Sequence, residues 1–174
     1  MGRLRFATVW LGGCSGCHMS FLDLDEWLIE LARHVDVVYS PLADVKEYPE
    51  GVDLVLVEGA VANDENLHMI QKVRERTKIL IAFGDCAVTG NVTALRNPLG
   101  VALEVLRPVY GDKIPDEPEI VPVLLDRVLP VHQVVSVDYW LPGCPPPAPR
   151  IKAVLQALLD GKTPVLEGNE IRFG

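Results

Sequence analysis

Residues 5 to 18 read Arg5-Phe6-Ala7-Thr8-Val9-Trp10-Leu11-Gly12-Gly13-Cys14-Ser15-Gly16-Cys17-His18. The run from Arg5 to Leu11 is apolar enough for a β-strand, and it opens into a glycine-rich turn that carries two cysteines. The pattern returns twice. Lys78 to Phe83 runs into Gly84-Asp85-Cys86-Ala87, and Val134 to Leu141 runs into Pro142-Gly143-Cys144-Pro145-Pro146-Pro147. In an open parallel α/β sheet the carboxyl ends of the strands share one edge, so cysteines at three such ends can meet although they are far apart in sequence. Four thiolates brought to one point suit a metal or an iron-sulfur site.

The segments between these turns supply the rest of an alternating βα order. Ser20 to Arg33 reads as one helix, with Phe21, Leu24, Trp27, Leu28 and Leu31 on one face, Ser20 as its cap and Asp23 at its positive end. Val35 to Ser40 is a second strand stopped by Pro41. Val52 to Val57 is almost continuously apolar, as a strand covered on both faces must be. Asn63 or Asp64 then caps a helix carrying Leu67, Ile70 and Val73. Between Asn97 and Pro130 the pattern is faint: a short helix from Leu99 to Leu106, then irregular chain marked by Pro108, Pro115, Pro118 and Pro122. Ala148 to Leu159 is a closing helix ended by Gly161. This order predicts a doubly wound, flavodoxin-like parallel α/β sheet with the cysteine loops at its carboxyl edge. No repeat or linker divides the chain, so residues 1–174 are expected to form a single domain.

A chain of 174 residues can bury roughly 70% of its unfolded surface, enough for a core without disulfide staples. Its net charge of -8, with no basic stripe, argues against nucleic acid and against an anionic membrane surface. Eight acids between Asp36 and Glu65, against Lys46 alone, read as a solvated flank. No run approaches the ~18 apolar residues of a membrane span, and neither a signal peptide nor a twin-arginine pair opens the sequence. A cytoplasmic protein is expected, and in that reducing compartment cysteines serve as ligands or catalysts more often than as disulfides.

Cys14-Ser15-Gly16-Cys17-His18 fits the c-type haem attachment pattern, and Cys14 with Cys17 fits a dithiol redox pair. Haem attachment belongs with export, and a dithiol enzyme leaves Cys86 and Cys144 unexplained. Structural zinc usually sits between two Cys-x-x-Cys knuckles, whereas here the third and fourth cysteines are single and dispersed. An iron-sulfur cluster tolerates such dispersed ligands and makes an electron-transfer protein. Ser136, Asp138 and His132 lack a nucleophile turn, so a hydrolytic triad is not expected. His34 and His68 read as ordinary surface or core residues. The first loop has neither the hydroxyl-rich make-up of a flavodoxin phosphate loop nor the glycine spacing of a dinucleotide fingerprint. The fold is compatible with bound FMN, but no residue points to one.

Together, Cys-x-Gly-Cys after the first strand, Gly84-Asp85-Cys86-Ala87 and Pro142-Gly143-Cys144-Pro145-Pro146 resemble the small subunit of nickel-iron hydrogenases. The resemblance implies that Cys14, Cys17, Cys86 and Cys144 ligate one proximal 4Fe-4S cluster beside a nickel-iron centre held by a separate large subunit. Val57-Glu58-Gly59-Ala60 resembles the family's strand end beside the cluster, which makes Glu58 a candidate neighbour of it. His18 is a candidate to hydrogen-bond a cluster sulfur or the large subunit, although a single histidine of this kind is more often a polar surface residue. Exported members carry Ser-Glu-Ser after the second cysteine, a signal sequence and a further C-terminal domain; here stand His18-Met19-Ser20 and a short chain. That form resembles the soluble, bidirectional NAD-linked hydrogenases, in which electrons pass to diaphorase subunits bearing iron-sulfur clusters and flavin. Gly16 stands where some oxygen-tolerant relatives have an extra cysteine. The related quinone-oxidoreductase subunit of respiratory complex I typically has adjacent cysteines in place of Cys14-Ser15-Gly16-Cys17, so the spacing favours hydrogenase.

Overall fold

The computed structural model describes residues 2–115, 117–171 and 173. Its centre is a five-stranded parallel sheet. The strands are β1 (Leu4–Trp10), β2 (Val35–Tyr39), β3 (Val52–Glu58), β5 (Thr77–Phe83) and β7 (Tyr139–Leu141), in the spatial order β2-β1-β3-β5-β7. Strand β4 (Val61–Asn63) leaves this sheet and pairs antiparallel with β6 (Leu124–Leu129) as a separate ribbon. The helices are α1 (Gly16–Leu22), α2 (Trp27–His34), α3 (Asp64–Arg76), α4 (Asp85–Thr89), α5 (Ala102–Tyr110) and α6 (Ala148–Leu159). Among the described residues no helix is long and apolar enough to cross a membrane.

Successive strand residues face opposite sides of the sheet, and here both sides are covered. On one, Val9, Val57, Leu80 and Ala82 pack with Ile70 and Val73 of α3 and Ala87 of α4. On the other, Phe6, Leu56, Ile81 and Phe83 pack with Leu31 of α2 and with Ile151 and Leu155 of α6. Val55, Leu56 and Val57 have no accessible surface at all. Burying each such side chain is worth about 1.5–3 kcal/mol, so β3 is held firmly from both faces. Glu58 is the next residue along that strand, and its position inherits this rigidity.

Four expectations from the sequence are corrected. The helix expected over Ser20–Arg33 is two helices, parted at 23–26, where Asp25 takes a φ of 48°. Ser20 does not cap it; it lies inside α1, buried, and α1 starts at Gly16 within the cysteine motif itself. The strand expected over Val134–Leu141 keeps only Tyr139–Leu141. Just before it, the Asp138 carboxylate accepts the Leu80 backbone N–H at 2.8 Å and binds Arg74 Nη1 at 2.6 Å, so a side chain does the pairing that a strand backbone would do. The stretch expected to be irregular after Leu106 holds the end of α5, with Pro108 inside it, and strand β6. By contrast, Asn63 caps α3 as expected, its Oδ1 accepting the Asn66 N–H at 2.8 Å.

Candidate metal centre

All four cysteines are free, and they lie beyond the carboxyl ends of β1, β5 and β7. Cys14 and Cys144 are exposed, Cys86 is half-buried and Cys17 is buried. Burial holds the Cys17 thiol far above its ordinary range, and the negative charges of Glu58, Cys86, Cys14 and Cys144 push it the same way. The loops that carry the three other thiols open from the same carboxyl edge of the parallel sheet as the Cys17 loop.

Backbone contacts lock the three loops together. Gly84 N–H donates to Leu141 O at 2.8 Å, Asp85 N–H donates to Gly143 O at 2.9 Å, and Gly143 N–H donates to Asp85 Oδ1 at 2.6 Å. The Cys86 and Cys144 turns are therefore one stitched unit. Ser20 ties α1 to it, donating its hydroxyl to Pro146 O at 2.6 Å. The first loop is fixed to the end of β3 by paired Gly12 and Ala60 hydrogen bonds of 2.9 and 2.8 Å.

Two glycines are required by this packing. Gly84 has φ 84° and ψ 161°, a region open to glycine almost alone, and a Cβ there would collide with Cys17 Sγ. Gly143 has φ 137°, and a Cβ there would stand 2.5 Å from Pro146 Cα. The sulfur of Cys17 rests in the space that Gly84 leaves.

Glu58 and His18 are brought together, and neither lies at the surface. They are 1% and 5% exposed. Glu58 Oε2 accepts the His18 backbone N–H at 2.9 Å and is also hydrogen-bonded to His18 Nδ1. The imidazole sits between Trp10 and Phe83, with ring centroids 6.2 and 6.3 Å away. Its Nε2 is buried and has no hydrogen-bond partner among the described residues. The reading of His18 as a surface residue is corrected: the N-terminal turn of α1 carries it under the sheet edge beside Glu58. His132, by contrast, is exposed and packs edge-on against Trp140 at 5.1 Å.

Asp85, Asn91 and Thr93 carry no assigned role in the sequence, and Ser20 reads there only as a helix cap. Asp85 was signalled only by its place between Gly84 and Cys86, where a solvated acid has no reason to be buried. Asn91 Nδ2 approaches Cys144 Sγ at 3.3 Å, and Thr93 Oγ1 donates to Gly12 O at 2.9 Å. Both stand just past Gly90 in a segment whose pairing partners are 53 and 81 residues away.

The donor set fits an iron-sulfur cluster. Thiolates are the ligands such clusters take, and Cys17, kept neutral by burial, needs the positive charge of a metal to give up its proton.

Fold and site together define a class: flavodoxin-like subunits with a four-thiol site at the carboxyl edge of the sheet. A family model described as the NADH ubiquinone oxidoreductase 20 kDa subunit matches residues 14–158. The delta subunit of the NAD-reducing hydrogenase HoxS of Cupriavidus necator is 40% identical over 171 residues, 92% of this chain and 81% of that one. One subunit of the F420-non-reducing hydrogenase vhu of Methanococcus voltae is 42% identical over 94% of this chain, which spans only 59% of that relative's length. Among solved structures, a chain of the NAD+-reducing nickel-iron hydrogenase in its H2-reduced state superposes with a TM-score of 0.94. That chain is 40% identical, and the match covers 99% of this chain and 100% of the other. The chain belongs to the iron-sulfur-binding family of NADH ubiquinone oxidoreductase 20 kDa subunits, in its branch of nickel-iron hydrogenase small subunits.

Proposed function

We propose that this chain is the electron-transfer small subunit of a cytoplasmic, NAD-reducing nickel-iron hydrogenase. Cys14, Cys17, Cys86 and Cys144 would hold one 4Fe-4S cluster, which when bound takes up and releases single electrons between a nickel-iron large subunit and a diaphorase module. The carrying observation is that four free thiols lie in loops at the carboxyl ends of three strands of one parallel sheet, with Cys17 buried and the Cys86 and Cys144 loops hydrogen-bonded together. The residues around them position rather than react. Gly84 gives Cys17 its space, Asp85 fixes the Gly143 backbone, and Ser20 joins α1 to the Pro146 carbonyl. Glu58, at the end of the rigid strand β3, anchors His18 by accepting its backbone N–H. Exposed Cys14 and Cys144 mark the face that the large subunit would cover.

The assembled enzyme would carry two separable activities. The large subunit can exchange hydrogen isotopes without net electron removal, whereas reduction of NAD by dihydrogen needs the relay. In Cys86→Ser, with nickel content verified, isotope exchange should persist while NAD reduction falls by orders of magnitude, about tenfold for each ~1.4 kcal/mol added to a limiting barrier. An assembled variant that lacks the cluster yet reduces NAD at the unmutated rate would remove this chain from the electron path. Co-purification with a quinone-binding membrane assembly in place of a nickel-containing chain would favour the respiratory branch of the family.

A further inference from the structure

Directly after α4 the chain enters a 3-10 helix, Asn91–Leu99, through Gly90 at φ 88°. Asn91 then holds a φ of 32°, in the left-handed region where glycine is the default and any other residue pays a steric cost. That cost has a return: the Asn91 amide reaches across to the third cysteine loop, its Nδ2 lying 3.3 Å from Cys144 Sγ. A thiolate has no proton to give, so only the NH2 end of the amide can bind it. Thr93, two residues on, donates its hydroxyl to Gly12 O at 2.9 Å, in the first cysteine loop. One short segment thus joins the first and third cysteine loops and directs an N–H donor at the Cys144 sulfur.

We propose that Asn91, held in place by the turn that Thr93 ties to the first cysteine loop, tunes the reduction potential of the cluster through its N–H bond to Cys144. This rests on the cluster reading given above. Reduction adds one electron to the group the thiolates hold, drawn from a low-potential donor such as the hydrogen-oxidising partner, with no bond made or broken in this chain. The added negative charge is spread in part onto the ligand sulfurs, so an N–H donor to a sulfur stabilises the reduced form more than the oxidised one and raises the potential.

Asn91→Gly tests this cleanly, because glycine suits the observed φ and removes only the amide. In the native complex, an electron paramagnetic resonance redox titration should find one midpoint potential lowered and every other unchanged. The expected shift is about tenfold in the oxidised-to-reduced ratio, or about 59 mV for a one-electron couple. Asn91→Asp, which keeps the size but puts a carboxylate oxygen toward the sulfur, should lower the same midpoint further, and it serves where the glycine variant does not assemble. Unchanged midpoints in an assembled variant would leave Asn91 a purely structural residue and overturn the proposal. A wild-type chain without iron and sulfide would instead overturn the cluster reading on which it rests.

Discussion

Gly84→Ala puts the geometry of the site under direct stress. At φ 84° and ψ 161° an alanine is strained by about 1–3 kcal/mol, and its Cβ is aimed at Cys17 Sγ. Cys17 is buried in the core that includes Phe83 and Leu141, so the sulfur cannot swing aside without overpacking, a further cost of about 1–3 kcal/mol. The sum, about 2–6 kcal/mol, is a large part of the roughly 5–15 kcal/mol that typically holds a domain together. Gly51→Ala is the matched control: Gly51 has φ 68° but nothing within 4 Å of its Cβ position, so only backbone strain of about 1–2 kcal/mol applies. Both variants would be unfolded with urea, and their bound iron and sulfide counted after anaerobic purification. Gly84→Ala should lose clearly more stability than Gly51→Ala and most of its iron. Full iron in Gly84→Ala, with a stability loss no larger than the control's, would refute the packing of Cys17 against Gly84.

Asp85→Ala strips the buried Gly143 N–H of its acceptor and should cost about 1–3 kcal/mol in urea unfolding, with cluster retention falling in parallel because the Cys86 and Cys144 turns keep only their two backbone hydrogen bonds. Tyr48 is fully buried against Thr77, and burial pushes its hydroxyl up to about 12, more than its bond to Thr77 lowers it. The unfolded chain titrates near ~10, so this contribution to stability is intact below about pH 10 and lost as pH rises toward about 12. By about pH 11 the loss reaches about 1.4 kcal/mol, and Tyr48→Phe should remove that part of the alkaline decline, as read from urea midpoints across the range. An unchanged alkaline slope in Tyr48→Phe would mean that Tyr48 ionises as freely in the folded chain as in the unfolded one.

The parts of this structure that were legible in the sequence are those governed by local pattern. Strands β1, β3 and β5 are continuous apolar runs because helices cover both of their faces, and each ends in a glycine turn. The placing of Cys14 and Cys17 after β1, Cys86 after β5 and Cys144 after β7 on one sheet edge was legible for the same reason, since parallel strands put their carboxyl termini on one edge. What was not legible depends on contacts between distant residues. Strand β4 is three residues long and becomes a strand only through β6, which is remote in sequence. Residues 134–138 carry strand-like composition, but the Asp138 side chain takes the Leu80 N–H that would anchor a ladder. His18 resembled a surface histidine because its partner, Glu58, lies 40 residues away at the end of another strand. Asn91 and Thr93 gave no signal beyond small polar residues after a glycine, and only the fold shows that they meet the Cys144 sulfur and the Gly12 carbonyl.

The central claim is that these four cysteines hold a single cluster of iron and sulfide. Its most direct test is an iron, zinc and acid-labile sulfide count on this chain, separated anaerobically from its partners. About four iron and about four sulfide per chain, lost together when Cys17 is replaced by serine, is the predicted result. Zinc without sulfide, or iron that survives Cys17→Ser undiminished, would contradict it.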